Sequence, residues 1–378
     1  MLTPKRLLGA LLRRRAFLAQ SLAYRAARRE PLQRVAVFQA FEGRTVGDSP
    51  YAIMNEVRSR KLGLELYFVV RHPSDVVPSG VKTVIYGSPE WCRLLATAEF
   101  LVTNNNLPEF FQKRIGQTYV QTWHGTPLKR LGRDIETSAA SNHYVKSVAR
   151  EAAGWDYLVS PSRYFTDILP MALGFEGRVI ETGYPRNDAL VADSAAREAT
   201  RKKLGVSADE KLVLYAPTWR DTKQSLTGAW AGVNFFDAEL PKGYRLMFRG
   251  HNNTKGSHKS ALAGNAIDVT NYPDVNELFL AADVLVTDYS SVMFDFSVTG
   301  KPMAFLVPDL AEYEANRGFY FDFRAEAPGP LFASATELVG AIGLLGDYSA
   351  KYVAWQRKFN PHEDGKSASR VVDLVWRL

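Results

Sequence analysis

The sequence predicts an α/β protein of two parallel-sheet domains facing a cleft, preceded by a short basic amphipathic helix. Three observations predict it. Short apolar runs alternate with helical stretches along the chain after Pro31, the pattern of a parallel sheet covered by helices on both faces. The pattern starts afresh near Lys211, and 378 residues is a length suited to about two domains. Polar motifs stand at the ends of the predicted strands, where open α/β sheets bind their ligands.

The first element is residues 1–30. It holds eight basic residues against one acid, Glu30, and so accounts for the whole formal charge of +7, because the remainder carries 39 residues of each sign. The charge is therefore local, which argues against a broad nucleic-acid-binding face. The basic residues are interleaved with Leu7, Leu8, Leu11, Leu12, Phe17, Leu18 and Leu22. At about 100° per residue the leucines fall within an arc of roughly 140°. Arg15, Arg25 and Arg29 intrude on that arc, so the helix is imperfect. It reads as a helix lying on an anionic membrane surface; a solvated basic helix, or a tail ordered by a partner, is the alternative. Arg13–Arg15 split the apolar run, and no small-residue cleavage site follows, so a secretory signal fits poorly.

The first domain is placed at 31–190. Its strands are read at Val35–Phe41, Leu66–Val70, Thr83–Tyr86, Phe100–Thr103, Thr118–Thr122, Tyr157–Ser160 and Val179–Thr182. A loop over Glu42–Pro50 leads into a helix reaching about Lys61. The hinge lies near Gly183–Ala196. The second domain, 191–378, has strands at Leu212–Ala216, Arg245–Phe248, Ala266–Val269, Val284–Thr287 and Met303–Leu306. Helices are expected at Val275–Ala282 and Ser290–Thr299. The last helix, about Lys366–Leu378, can pack on either domain.

Several chemistries are excluded. The lone Cys92 forms no internal disulfide, and no apolar stretch reaches the roughly 18 residues of a membrane span. Neither G-x-G-x-x-G after the first strand nor G-x-x-x-x-G-K-[ST] occurs, which disfavours dinucleotide oxidoreductases and P-loop NTPases. H-E-x-x-H and G-x-S-x-G are absent, and no two aspartates are separated by a single residue.

Six motifs carry the remaining polar residues. Gln121–Lys129, reading Q-T-W-H-G-T-P-L-K, follows a strand. Its Gly125 and Pro127 enforce a turn that projects His124, either as a base near neutral pH or as an imidazole satisfying a buried turn. Arg249-Gly250-His251-Asn252-Asn253 offers an open backbone and two cationic groups for phosphate, or a solvated turn. In Thr287-Asp288-Tyr289-Ser290-Ser291 the two serines precede an apolar helix, as phosphate ligands or as plain caps. Asp288 would repel a phosphate and is expected to orient a neighbour or bond a ribose hydroxyl. Ala216–Asp221 offers Arg220 as a phosphate fork. Gly183–Asp188 opens a helix near the hinge, and Pro361–Ser367 opens the last helix.

Together these motifs resemble the CDP-glycerol glycerophosphotransferase family of teichoic acid synthesis. The resemblance rests on W-H-G-T-P-L-K at 123–129 with Leu131–Asp134 after it, G-Y-P-R-N-D at 183–188, Y-A-P-T-W-R-D at 215–221, T-D-Y-S-S at 287–291 and D-G-K at 364–366. The loop Phe41-Glu42-Gly43 to Asp48-Ser49-Pro50 is also similar. The resemblance implies a GT-B fold of two Rossmann-like domains and transfer of glycerol 3-phosphate from CDP-glycerol to an acceptor hydroxyl, with release of CMP. It implies His124 and His251 as catalytic imidazoles and Ser290 and Ser291 as donor-phosphate ligands. Gly125, Thr126, Arg220, Arg249, Asp288 and Asp364 complete the expected substrate-binding set. No cofactor is required and no metal site is expected, although Asp288 and Glu363 are carboxylates with the chemistry to hold one. The implied partners are a CDP-polyol donor, a lipid-linked glycan or polyol-phosphate acceptor, and an anionic membrane surface. The implied location is the cytoplasmic face of the cell membrane, as a peripheral protein. The compact chain leans toward a primase or a capsule-type enzyme rather than a processive polymerase. CDP-ribitol is the alternative donor, and a nucleotide-sugar glycosyltransferase is the alternative on the same fold. The sequence does not set an oligomeric state.

Overall fold

The computed structural model describes residues 4–135, 139–192, 194–218, 239–250, 266–345 and 349–376. The first sheet contains β1 (Gln33–Gln39), β2 (Glu65–Val70), β3 (Val81–Ile85), β4 (Ala98–Thr103), β5 (Thr118–Gln121), β6 (Tyr157–Ser160) and β7 (Arg178–Glu181). Its order is β3-β2-β1-β4-β5-β6-β7, and every pairing is parallel. The second contains β8 (Lys211–Tyr215), β9 (Tyr244–Phe248), β10 (Ile267–Asp268), β11 (Val284–Thr287), β12 (Met303–Leu306) and β13 (Leu331–Phe332), in the order β10-β9-β8-β11-β12-β13, again all parallel. In each sheet the order reverses between the first strand and the fourth, which opens a ligand crevice at the carboxyl ends there. Two such sheets facing one another form the GT-B fold.

Both faces of each sheet are buried, which is why the strands read as continuous apolar runs. In the first domain Val37, Leu101 and Leu158 face one core layer, and Phe38, Val102 and Val159 face the other. Leu214 and Leu285 against Val213 and Val286 do the same in the second.

Three differences from the sequence reading have local causes. The helix after β1 begins at Asp48, before Pro50 (α2, Asp48–Ser59); a proline in the first turn gives up an N–H that has no helical partner. The segment expected as one helix over Ser290–Thr299 is a short α-helix, Val292–Phe296, followed by a 3₁₀ turn, Ser297–Thr299, which ends at Gly300 with φ +71°. β10 has two residues, and β13, with two, carries no periodicity to read. Of the two packings left open for the last helix, Ser367–Trp376 takes the one on the first domain, with Val371, Val372 and Val375 in its core and Asp373 paired with Arg60, the residue that caps α2.

The amino-terminal helix α1 (Pro4–Ala27) divides in two. Its carboxyl half is docked on the first domain: Tyr24 is buried and donates to the Gln112 carbonyl at 2.7 Å, and Phe17 tilts against Phe110. Its outer stripe is exposed, with Leu8, Leu11, Leu12 and Leu18 each more than half open and Leu22 at 65%. Among the described residues no helix is long and apolar enough to cross a membrane.

Candidate active site

His124 stands in the turn that follows β5. Trp123, before it, takes φ +54°, which a bulky side chain adopts only when its surroundings impose it. The Trp123 N–H donates to Gln121 Oε1 at 2.9 Å, and the indole stacks on the imidazole with centroids 4.7 Å apart. The strain therefore sits beside a side chain held in one orientation.

Nδ1 of His124 lies 2.7 Å from the carbonyl oxygen of Asn104, the residue that follows β4. A carbonyl only accepts, so Nδ1 carries the proton and the neutral ring presents a bare Nε2. The ring is open to the cleft, but protein crowds it from behind. That crowding pulls its pKa below the ordinary value; the Asn104 hydrogen bond and the charge of Asp48 act upward, and Arg186 acts downward. The net direction leaves a neutral base at neutral pH.

Gly125 brings this turn against the second domain. A Cβ at position 125 would stand 2.8 Å from Ser291 Oγ and 3.1 Å from Ser291 Cβ. Between the domains lies a cavity of about 410 Å³, lined by His124, Gly125, Thr126 and Lys129 on one side and by Tyr289 and Ser291 on the other. The seam continues as the Arg130 N–H donates to the Gly318 carbonyl and the Tyr320 N–H to that of Leu128.

Ser291 occupies the N-cap position of Val292–Phe296, but its hydroxyl caps nothing. Its backbone is αR (φ −63°, ψ −11°) instead of the extended conformation that aims a cap at the next amides. Of the two readings given for the serines, plain capping does not hold for Ser291, which lines the cavity; Ser290 is not among the lining residues. Asp288 is buried and accepts from the Thr218 N–H at 2.8 Å and hydroxyl at 2.6 Å, so it orients the strand end that leads toward Arg220.

Two expected substrate ligands are turned elsewhere. Arg249 gives Nη1 to the carbonyls of Val269 and Tyr272 at 3.0 and 2.9 Å, bracing the turn after β10; burial lowers its pKa. Asp364 accepts from the Lys366 N–H at 3.1 Å and pairs with Arg370, which anchors the start of the last helix. Neither lines the cavity. It is Glu363, one residue earlier, that reaches inward. Its Oε1 accepts from the Tyr184 N–H at 2.9 Å and Asn187 Nδ2 at 3.3 Å, and burial pushes its pKa up to about 8. His251 and Arg220 lie outside the described residues. Among those described, no cluster of three His, Cys, Asp or Glu side chains converges to hold an ion.

The motif reading missed three contributors. Asn104 holds His124 through its carbonyl and the Phe41 N–H through its Oδ1, at 2.8 Å. Arg186, inside G-Y-P-R-N-D, is buried and joins the domains. Its Nη2 donates to Asp295 Oδ1 and Oδ2 at 2.9 and 3.1 Å, its Nη1 reaches Asp48 at 3.4 Å, and its carbonyl accepts from Asn276. Asp48, at φ +63°, is the third. The strand-end asparagines and the D-S-P turn were visible as polar positions, but their partners are far away in sequence.

Residues 22–377 match the family model described as CDP-glycerol:poly(glycerophosphate) glycerophosphotransferase. The chain belongs to this family. It is 35% identical over 377 residues to the teichoic acid poly(glycerol phosphate) polymerase of Bacillus subtilis (strain 168), covering 95% of this chain and 50% of that one. It thus spans half the length of that relative. It is 34% identical to the protein of the same name from Bacillus spizizenii, covering 90% of this chain and 91% of the other. That similarity in length removes compactness as an argument for primase over polymerase. Relatives named for ribitol phosphate match at 25–26% identity. Among solved structures, a variant of the wall teichoic acid polymerase TagF superposes with a TM-score of 0.88 at 32% identity, covering 98% of this chain and 95% of that one. TagF has also been solved after a CDPG soak.

Proposed function

We propose that this chain transfers glycerol 3-phosphate from CDP-glycerol to a hydroxyl of a lipid-linked acceptor or a growing polymer, with release of CMP. The observation that carries the reading is the fixed tautomer of His124, with Nε2 bare in an interdomain cavity of a family member. The acceptor hydroxyl gives its proton to Nε2 as its oxygen bonds to the glycerol-bearing phosphorus. The bond from that phosphorus to the CMP oxygen breaks, and the electron pair leaves with CMP. Base catalysis of this kind is worth roughly 10²–10⁴ in rate. The Ser291 hydroxyl, facing His124 across the cleft, is placed to donate to the donor phosphate as charge builds on the leaving side. His251, Arg220 and Ser290 are proposed to complete the donor site, as the family resemblance implies.

The exposed leucines of α1, together with its arginines, suit an anionic bilayer surface at the cytoplasmic face, where soluble donor and anchored acceptor meet. Sedimentation with anionic vesicles tests this: binding that survives Leu11→Glu with Leu18→Glu would remove the helix from the account.

The test of function is CMP release from CDP-glycerol and, separately, from CDP-ribitol, each with a lipid-linked acceptor. Acceptor-dependent CMP from CDP-glycerol is expected. Release from CDP-ribitol alone would reassign the polyol. Release from neither, with an acceptor shown to be competent, would move the reading to a nucleotide-sugar donor.

A further inference from the structure

The turn after β4 reads Thr103-Asn104-Asn105-Asn106-Leu107. Asn104 is committed to His124 and Phe41, as described above. The Asn105 carbonyl accepts from the Thr103 hydroxyl at 2.9 Å and from Gln121 Nε2 at 3.4 Å. The Leu107 N–H donates to Glu151 Oε1 at 2.7 Å, and Tyr119, fully buried, donates its hydroxyl to the same oxygen at 3.1 Å. The backbone of this turn is therefore pinned at every second residue to side chains behind it. The side chains of Asn105 and Asn106 are different. Both line the cavity beside His124, and neither takes a hydrogen bond from a described residue.

We propose that Asn105 and Asn106 form the acceptor subsite, and that they read the hydroxyl next to the one that reacts. The proposal rests on the function given above. A general base must stand within hydrogen-bond reach of the attacking hydroxyl, so the groups on the His124 side of the cavity meet the acceptor. In-line displacement puts the CMP leaving group opposite, toward Ser291. Each carboxamide offers both donor and acceptor atoms. That suits an alcohol, which also does both, better than it suits a phosphate, which only accepts. A chain ending in glycerol phosphate presents a primary and a secondary hydroxyl on adjacent carbons. With the primary hydroxyl at His124 Nε2, the amides hold the secondary one, and Tyr144 and Val148 of the helix Ala139–Ala152 wall in the carbon chain. The braced backbone makes this a pre-formed site, and the held hydroxyl selects which oxygen is extended.

The experiment compares two lipid-linked acceptors, one ending in glycerol phosphate and one ending in its analogue without the secondary hydroxyl. Initial rates of CMP release are measured for the wild type, Asn105→Ala, Asn106→Ala and Asn105→Ser. The affinity of each protein for CDP-glycerol is measured by calorimetry without acceptor. For the native acceptor, each alanine variant is expected to raise KM about tenfold, the loss of one hydrogen bond to a fixed group. The wild type with the deoxy acceptor, which loses both bonds at once, should show a rise of about 100-fold, and each variant should lose only about tenfold more on it. CDP-glycerol affinity should stay within about twofold. The wild-type comparison needs no variant, so a folding defect does not mask the result. An unchanged KM on the deoxy acceptor, or a parallel loss of CDP-glycerol affinity in the variants, overturns the subsite. A wild type that releases no CMP from CDP-glycerol with either acceptor overturns the function on which it rests.

Discussion

Gly125 of the first domain and Ser291 of the second approach so closely that a Cβ at position 125 would stand 2.8 Å from the Ser291 hydroxyl oxygen. The glycine is needed here for close approach and not for an unusual backbone angle. The His124 turn and the T-D-Y-S-S turn can share one cavity only because this position has no side chain. Gly125→Ala is expected to force the two turns apart by a few tenths of an ångström or more. Misplacement of reacting groups on the scale of about 1 Å costs up to about 10² in rate. We expect a fall in kcat of about 10–100-fold with little change in melting temperature; an alanine variant of normal kcat would show that the two turns need not touch during turnover.

The protonation of His124 sets an acid limit to activity. Crowding lowers its pKa and the charge of Asp48 raises it, so the base is lost only as pH falls below about 6.5, the ordinary histidine value. The acid limb of kcat/KM against pH should have its midpoint below that value. Asp48→Asn removes an upward influence, so the limb should move to still lower pH. A limb that moves upward in this variant would contradict the electrostatic assignment.

Arg186 closes the seam between the domains through Asp295 and Asp48. Arg186→Met leaves Asp295 buried without its cation. Breaking a buried pair from one side typically costs about 3–5 kcal/mol. The expected result is a clear loss of stability in urea, with the interdomain contacts weakened before either sheet unfolds. Arg186→Lys should rescue only partly, because an ammonium cannot bridge both carboxylate oxygens and Asp48 as the guanidinium fork does. An unchanged unfolding midpoint in Arg186→Met would show the pair to be incidental.

Glu363 gives stability a pH dependence. Its folded pKa, about 8, is above the ordinary carboxyl value near 4.5. The folded state therefore binds a proton that the unfolded chain has released. Its contribution is fully present below about pH 4.5 and is lost as pH rises through 8. Glu363→Gln retains the oxygen that accepts from Tyr184 and Asn187 and has no charge to bury. The variant should gain stability relative to wild type as pH is raised from 6 to 9, by about 2–4 °C in melting temperature for each kcal/mol recovered. Parallel melting curves for the two proteins across that range would remove Glu363 as the source.

The two sheets were legible because parallel strands covered on both faces are continuous apolar runs, as in Leu212–Ala216 and Val284–Thr287. β13 was not, since two residues have no period. The motifs marked His124, Gly125 and Ser291, which the fold brings to one cavity. They also marked Arg249 and Asp364, but a motif does not say which way a side chain turns, and these two face carbonyls and a neighbouring arginine. The group that fixes the tautomer of His124 is a backbone carbonyl, and any residue at position 104 supplies one. The partners of Arg186 stand at 48 and 295, and only the folded topology brings such distant carboxylates together.

The step proposed for His124 Nε2 is removal of the proton from the acceptor hydroxyl. Its most direct test is acceptor-dependent CMP release from CDP-glycerol by the wild type and by His124→Ala, with CDP-glycerol affinity measured on both. A fall of about 10²–10⁴ in kcat is expected for His124→Ala, with donor affinity retained. Normal turnover by His124→Ala, or a loss explained wholly by weaker donor binding, would contradict it.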